Sequence, residues 1–175
     1  TGKSTLVYQL IDKLNTTPEA LLFINLDEPL FQSKAEDPSF LGNLIEEYII
    51  SHKEIKNFFV FIDEIQNYKY WIQTVKTIHD LNKNIKFVLT GSTSSLLKDS
   101  ASTRLSGRYL ATTIYPLTFN EFIVFSELDK STILQKRQAV NQYLQFGGFP
   151  RIVLEKDTTL KQDLLKNYFQ TIYLK

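Results

Sequence analysis

The sequence has 175 residues, of which 43% are hydrophobic and 13% aromatic, and this composition is typical of a globular domain rather than a disordered chain. Twenty basic and nineteen acidic residues give a net charge of +1. This balance excludes a general electrostatic attraction to nucleic acid or to an anionic membrane, so partners must be argued from local sites.

The chain begins with TGKST, which matches the second half of the phosphate-binding pattern G-x-x-x-x-G-K-[ST] at Gly2, Lys3 and Ser4. Apolar residues then recur at helical spacing, so the motif lies at the start of an amphipathic helix, as a phosphate loop requires. A buried strand and the first glycine of the pattern would precede Thr1, and we therefore expect the sequence to be part of a longer protein. On its own the match is weak, because a glycine turn before a helix gives the same letters.

Three short apolar runs predict buried strands, and they are ALLFINLDEP, NFFVFIDEIQ and NIKFVLTGSTS. Helical patterns separate them, one opened by Asp37-Pro38 with proline at the first helical position, and one beginning near Trp71. The alternation predicts right-handed crossovers and a largely parallel sheet that is covered on both faces. A further strand is expected at RYLATTIYPL, because residues 109–115 alternate in character and Pro116 ends the run.

Beyond this point the sequence predicts helices only. Thr118 and Glu121 form a capping-box pattern, Ser131 is expected to open a longer helix that Gly147-Gly148 stops, and apolar spacing predicts a last helix. We therefore divide the chain into an α/β core, residues 1–117, and a helical lid, residues 118–175.

The chemistry is expected at the carboxyl ends of the strands, where ligands bind to open parallel sheets. Backbone N–H groups around Gly2 and Lys3, at a positive helix end, would cradle phosphates. The Lys3 ammonium would reach the terminal phosphates, and the Ser4 hydroxyl would ligate Mg²⁺. Magnesium also needs one or two carboxylates, and the sequence offers two acidic pairs, Asp27-Glu28 and Asp63-Glu64.

The two acidic pairs indicate different reactions. Asp27-Glu28 as the partner would favour a small-molecule kinase. With Asp63-Glu64, Asp63 would hold the hydrated metal and Glu64 would polarise an attacking water, which predicts hydrolysis. Thr90 and Ser92 have the same strand parity, so we expect both hydroxyls on one side, where they could orient that water. This feature favours the second pair.

Seven motifs taken together resemble the AAA-type ATPase domain of a large bacterial and archaeal family, and in chain order they are GKST, FFVFIDEIQ, YWIQTVKTIHD, FVLTGSTSSLL, RLSGRYL, IYPLTFNEF and GGFPRIVL. The resemblance implies an α/β fold with a parallel P-loop NTPase sheet in the order 5-1-4-3-2, whose first strand lies before Thr1, and a C-terminal helical lid. It also implies a second, nuclease-like domain of uncertain role after the ATPase domain.

The resemblance assigns roles to individual residues. The end of Walker A, which binds ATP, would be Gly2, Lys3, Ser4 and Thr5; Walker B would be Asp63 and Glu64; sensor 1 would be Thr90 or Ser92. Arg108 in LSGR could meet phosphate, in cis or from a neighbouring subunit, and Arg104 is a weaker candidate. The alternative for Arg108 is a surface ion pair.

Three functions follow from these assignments. The first is an ATPase that uses ATP and Mg²⁺ and is coupled to a downstream domain. The second is a nucleotide-gated interaction module that binds ATP with little hydrolysis, and the third is a small-molecule P-loop kinase. A homo-oligomer, and a DNA or protein partner bound through the second domain, remain open. No apolar run reaches the roughly 18 to 20 residues that cross a bilayer, so we expect a cytoplasmic protein with no membrane partner.

Overall fold

The computed structural model describes residues 2–82, 84–92, 105, 107–126 and 132–173. These residues divide into two compact units, one within residues 3–112 and one within residues 113–175, to which Gly2 also belongs. The functional boundary between core and lid at Leu117 stays a prediction. Arg104 and Ser131, which the sequence analysis singled out, lie outside the described residues.

The first unit contains a parallel sheet with helices between its strands, as predicted. Its described strands, in spatial order with β2 in the middle, are β1 (Leu21–Asn25), β2 (Phe58–Asp63) and β3 (Ile85–Leu89). Its described helices are α1 (Lys3–Lys13), α2 (Pro29–Gln32), α3 (Phe40–Ser51) and α4 (Trp71–Leu81), with 3₁₀ turns at Pro18–Ala20 and Ile65–Asn67. The unit is therefore an α/β fold with a parallel sheet, and it is consistent with the P-loop NTPase fold that the resemblance implied.

Strand β2 is apolar from Phe58 to Ile62, as expected for a strand whose two faces are both covered. Val60 and Ile62 point to one face, where they join the core that includes residues of α3 and α4. Phe61 points to the opposite face and is fully buried. Its register partner Phe23 packs there against Tyr8 of α1, with ring centroids 5.2 Å apart. Alternate residues of β2 thus face α1, and this parity decides where the strand's last side chain points.

The predicted strand at residues 109–115 is wrong, because the structure places these residues in no strand. Leu110 is 94% exposed and Tyr115 75% exposed, so the alternation does not direct one face into a core. A strand also needs a hydrogen-bonded neighbour, and residues 109–115 pair with none of the described strands. The three described strands are compatible with the 4-3-2 part of the predicted order 5-1-4-3-2, and the place of a first strand next to β3 stays a prediction.

The predicted start of α3 at Asp37-Pro38 is also wrong, since the helix begins at Phe40. The Asp37 carboxylate accepts hydrogen bonds from the Ser39 backbone N–H at 3.0 Å and from the Ser39 hydroxyl at 2.8 Å. Both hydrogen bonds lower the pKa of Asp37 below its ordinary value, and the bond from the Ser39 backbone N–H has the larger effect. Such an Asx turn occupies the residues before a helix, so Pro38 lies ahead of the first helical turn.

The second unit is helical, as predicted. Its described helices are α5 (Phe119–Phe125), α6 (Ile133–Phe146), α7 (Pro150–Leu154) and α8 (Thr158–Tyr173). The capping box of Thr118 and Glu121 is confirmed, and the Thr118 N–H bond lowers the pKa of Glu121. A second capping box begins α6, and α5, α6 and α7 share a small buried core formed by Phe122, Ile123, Ala139 and Val153. No helix among the described residues has the length and apolar character needed to cross a membrane.

Gly148 brings two backbone segments of the helical unit unusually close together. It follows Gly147, which ends α6 as predicted with φ +72° and ψ −167°, a conformation that side chains disfavour. The Leu117 N–H donates to the Gly148 carbonyl at 2.7 Å, and the Leu117 carbonyl accepts from the Tyr143 hydroxyl at 2.8 Å. A Cβ on Gly148 would lie 2.1 Å from the Leu117 carbonyl oxygen, so only glycine fits.

We expect Gly148→Ala to lower the free energy of unfolding by about 2–4 kcal/mol, because the added methyl group forces this backbone pair apart. Chemical denaturation followed by circular dichroism measures the change. Gly42→Ala is the matched control: Gly42 lies inside α3, and the nearest atom to its added Cβ is a Thr74 methyl group at 3.8 Å. That control should be neutral or slightly stabilising, since alanine favours helix. Equal stability of Gly148→Ala and the parent protein would contradict the close approach.

Candidate functional site

Polar side chains from neighbouring strands line up at the carboxyl end of the sheet. Asn25 and Asp63 are register partners at the ends of β1 and β2. Thr90 follows Leu89, the partner of Ile62, and so lies beside Asp63. Asp63 has the parity of Phe61, so its carboxylate lies on the sheet face that α1 covers. It is only 4% exposed, and a buried carboxylate needs hydrogen-bond donors.

Two hydroxyls supply those donors. The Ser4 Oγ donates to Asp63 Oδ2 at 2.6 Å, across 59 positions of the chain, and the Thr90 Oγ1 donates to Asp63 Oδ1. Ser4 belongs to the first turn of α1, and Thr90 follows β3. The structure therefore brings three of the predicted site residues together around one buried carboxylate, with the start of α1 joined to the end of β2.

The end of β3 also holds the segment that follows β2. The Thr90 N–H donates to the Ile62 carbonyl at 2.9 Å, and the Thr90 carbonyl accepts from the Ile65 N–H at 2.9 Å. The Thr90 hydroxyl accepts from the Glu64 N–H at 3.2 Å. The hydroxyl hydrogen of Thr90 is directed to Asp63. The role of Thr90 in orienting water stays a prediction. The expected placement of Thr90 and Ser92 on one side is wrong, since β3 ends at Leu89, Thr90 is buried and Ser92 is exposed.

Glu64 has a left-handed backbone, with φ 54° and ψ 47°. Among the described residues it is the only one other than glycine with positive φ. Such a conformation costs about 1–3 kcal/mol and persists only where neighbours enforce it; here the bonds to Thr90 from the N–H groups of Glu64 and Ile65 do so. Strain of this kind concentrates at functional positions, so it marks Glu64 as a candidate independently of the acidic motif.

Gln66 was missed by the sequence analysis. Its side-chain Nε2 donates to Glu64 Oε2, and its Oε1 accepts from the Ser92 backbone N–H at 3.3 Å. One amide thus links the predicted Walker B carboxylate to the predicted sensor residue. Gln66 ends the motif FFVFIDEIQ, which is the signal that could have found it, but its contact with Glu64 depends on the left-handed backbone at Glu64.

The start of α1 holds the other predicted binding residues. Gly2 precedes the helix with φ +91°, which glycine adopts without strain. Lys3 is the first helical residue and is partly buried, whereas Thr5 is exposed, so Ser4 is the hydroxyl turned toward Asp63. The first N–H groups of a helix have no partner within the helix and attract anions. The arrangement therefore combines orphan N–H donors, an ammonium group and a hydroxyl at one helix end.

Arg108 is placed in an ion pair. Its Nε donates to Asp80 Oδ1 at 3.0 Å, and the two side chains are 41% and 42% exposed. Loss of hydration raises the pKa of Asp80, but the bonds and charges of Arg108 and His79 outweigh it, so that the pKa lies below its ordinary value. This is the surface ion pair that the sequence analysis weighed as the alternative. A catalytic role for Arg108 stays a prediction.

Asp27 differs from Asp63 in its hydrogen-bond partners. It is exposed, and its Oδ1 accepts from Asn67 Nδ2 at 3.4 Å. Ser4 bonds to Asp63 instead. Of the two acidic pairs, the structure therefore joins Asp63-Glu64, and not Asp27-Glu28, to the start of α1.

The donor set around Asp63 fits Mg²⁺. Serine hydroxyl and aspartate carboxylate are oxygen ligands, and Mg²⁺ bound with a nucleotide takes only one or two of them, the rest being phosphate and water. The described residues contain no group of three or more histidine, aspartate or glutamate side chains able to hold a metal by themselves. A magnesium ion held by Ser4 and Asp63 would therefore depend on phosphate oxygens for its affinity.

Comparison with known proteins agrees with this geometry. A family model described as "AAA domain" matches residues 1–123. An uncharacterized protein of Methanocaldococcus jannaschii is 34% identical over 181 aligned positions, which cover 98% of this chain and 38% of the relative. An uncharacterized protein of Haemophilus influenzae is 34% identical, with 99% of this chain and 42% of the relative covered. The chain thus spans about two fifths of the length of these relatives, whose names state no activity.

The chain belongs to the AAA domain family and is an AAA-type, P-loop ATPase-like domain. The second, nuclease-like domain and the longer parent protein that the resemblance implied stay predictions.

Proposed function

We propose that this chain binds ATP with Mg²⁺ and hydrolyses it. The observation that carries the proposal is the 2.6 Å hydrogen bond from Ser4 Oγ to Asp63 Oδ2. It joins a glycine-lysine-serine helix start to the carboxylate at the end of the central strand. A hydroxyl and a carboxylate so placed are the two protein ligands that a nucleotide-bound magnesium ion requires.

Phosphate binding falls to the start of α1. Its free N–H groups and the helix dipole favour an anion, and the Lys3 ammonium adds a full positive charge at the same end. The positive φ of Gly2 lets the backbone turn into the helix without a side chain in the way. These groups bind and orient the triphosphate, and they form and break no covalent bond themselves.

Ser4 and Asp63 would hold the metal. When bound, Mg²⁺ neutralises charge on the phosphate oxygens as the terminal phosphoryl group departs. Asp63 is fixed beforehand by Ser4 and Thr90, so little reorganisation is needed to present its oxygen. The Ser4 hydroxyl can turn its hydrogen toward Asp63 and present its lone pair to the metal.

Glu64 would orient the attacking water and accept its proton. It follows Asp63 directly, and its left-handed backbone sends the chain away from the direction of β2. Thr90 maintains that backbone through the Glu64 N–H. Asp63 can thus bind the metal while Glu64 orients the water. A carboxylate that is available to water predicts hydrolysis rather than transfer to a bound acceptor.

The wider assembly is part of the same proposal. The sheet is extended beyond β3 by a strand before Thr1, the helical unit serves as a lid, and turnover drives a domain that follows. The relatives, of which this chain covers 38% and 42%, have room for such a domain. Partners of the whole protein would act through it.

Lys3→Ala tests the binding step. We expect it to weaken ATP binding by about 10- to 100-fold in the full-length protein, since a contact between charged groups contributes about 1.5–3 kcal/mol. Titration with a fluorescent ATP analogue measures the affinity. Lys13→Ala removes the same charge from the exposed last turn of α1 and should leave binding unchanged. Equal affinity of both variants would refute the proposed phosphate site.

A further inference from the structure

We propose that Gln66 is the positioning residue for Glu64: its amide fixes the Glu64 carboxylate and connects it to the end of β3. This inference rests on the proposed function, because it assigns a role in hydrolysis that presupposes Glu64 as the residue that orients water. It gives a role to a residue that lies at the end of the motif FFVFIDEIQ and to which the sequence analysis assigned none. Gln66 acts through Glu64 and touches no reacting atom.

The backbone that carries Gln66 is rigid. Gln66 is the middle residue of the 3₁₀ turn Ile65–Asn67. Ile65 is fully buried, and its N–H donates to the Thr90 carbonyl at 2.9 Å. Tyr68, directly after the turn, is 1% exposed and its hydroxyl donates to the Asp37 carbonyl at 2.9 Å. An anchor on each side leaves the Gln66 side chain as the movable part.

The hydrogen bond at one end of the Gln66 amide determines which group lies at the other end. The Ser92 backbone N–H can only donate, so it must face the amide oxygen, and this directs the NH₂ group to the Glu64 carboxylate, which can only accept when ionised. Glutamine is the side chain of this length that offers one donor and one acceptor. A glutamate at position 66 would keep the acceptor for Ser92 and place a second carboxylate against Glu64.

Fixing Glu64 matters because its side chain is long. A free glutamate loses considerable rotamer entropy when it must adopt one orientation, and a bound water is oriented only as well as its acceptor. Among the described residues, Gln66 is the side chain that bonds to the Glu64 carboxylate, and it does so through Oε2. The other oxygen, Oε1, is then available to the water.

The second bond ties this orientation to β3. The Ser92 N–H lies two positions beyond Thr90, whose hydroxyl bonds to both Asp63 and the Glu64 N–H. A shift at the end of β3 is therefore passed to Glu64 by two routes, through its backbone by Thr90 and through its side chain by Gln66. The carboxylate takes its working orientation when both are in place.

Steady-state hydrolysis by the full-length Gln66→Ala protein tests the inference. We expect kcat to fall about 10- to 100-fold, while KM and ATP affinity change less than about twofold, because the amide acts on the water-orienting step and not on phosphate binding. Gln66→Glu should be at least as impaired, since like charges would then face each other. Gln73→Ala makes the same chemical change on the exposed face of α4 and should keep full activity.

A double-mutant cycle separates positioning from a structural role. In a Glu64→Gln background, Gln66→Ala should cause no further loss of the residual single-turnover rate, because its target is gone. An unchanged kcat in Gln66→Ala, or the same fold loss in both backgrounds, would overturn the inference. If the alanine variant fails to fold, the Gln66→Glu variant, which has the same size as the parent side chain and whose folding a thermal melt verifies, decides by the same criteria. Failure of the proposed function gives a different result. If the proposed function is wrong, Glu64→Gln keeps the turnover of the parent protein. If only this inference is wrong, Glu64→Gln loses turnover and Gln66→Ala does not.

Discussion

Replacing Glu64 by glutamine is expected to lower ATP turnover by about 10²- to 10⁴-fold while ATP still binds, because a neutral amide cannot accept the proton of the attacking water. The change keeps the length and shape of the side chain, so the left-handed backbone and the bonds to Thr90 should persist. Phosphate release in the full-length protein measures turnover, and retention of radiolabelled ATP measures binding. The expected outcome is a protein that traps ATP.

Glu28→Gln is the matched control for this change. Glu28 ends the other acidic pair, is exposed, and directly precedes the short helix α2. Its replacement should alter turnover by less than about twofold. If Glu64→Gln alters neither binding nor an already negligible rate, the chain is instead a nucleotide-gated interaction module, and the proposed hydrolysis is wrong.

Asp63→Asn is expected to lower kcat/KM for ATP by about 100-fold or more and to remove most of its dependence on Mg²⁺. Asparagine has nearly the size of aspartate. Its amide oxygen can accept from one of the Ser4 and Thr90 hydroxyls and its NH₂ group can donate to the other, so the fold should be retained. What is lost is the negative charge that attracts the metal. Initial rates at ATP concentrations below KM measure kcat/KM, a magnesium titration measures the metal dependence, and circular dichroism verifies folding.

Asp27→Asn distinguishes hydrolysis from transfer to a small-molecule acceptor. Asp27 is exposed and bonds to Asn67, so its replacement should change ATPase activity by less than about twofold. A small-molecule kinase would require the opposite order, with Asp27 more sensitive than Asp63. Dominant loss of activity in Asp27→Asn would therefore exclude the proposed reaction.

The strands and α1 could be predicted because the sequence repeats there at the period of the structure that forms. The short apolar run before Asp63 is typical of a strand covered on both faces, and the spacing after Ser4 fits a helix. Alternation at residues 109–115 has the period of a strand, but period reports the faces of a segment and not whether a neighbour exists to pair with it. The start of α3 was misplaced because the Asp37 side chain competes with the helix for backbone donors.

The site divides in the same way. Ser4, Asp63 and Thr90 were predictable, since the carboxyl ends of parallel strands meet at one edge and α1 begins there. Gln66 was not, because a contact between residues two apart depends on the sign of φ at Glu64. Glutamate has little preference for the left-handed region, so nothing local in the sequence indicates it.

Because the backbone of Glu64 is left-handed, stability and activity favour different residue types at this position. Glycine would adopt φ 54° without strain and release about 1–2 kcal/mol, yet it would remove the carboxylate. Laboratory evolution toward heat resistance alone should therefore accumulate glycine at this position and yield durable, silent proteins. Under the proposed function, glutamate at this position serves the reaction at the expense of stability.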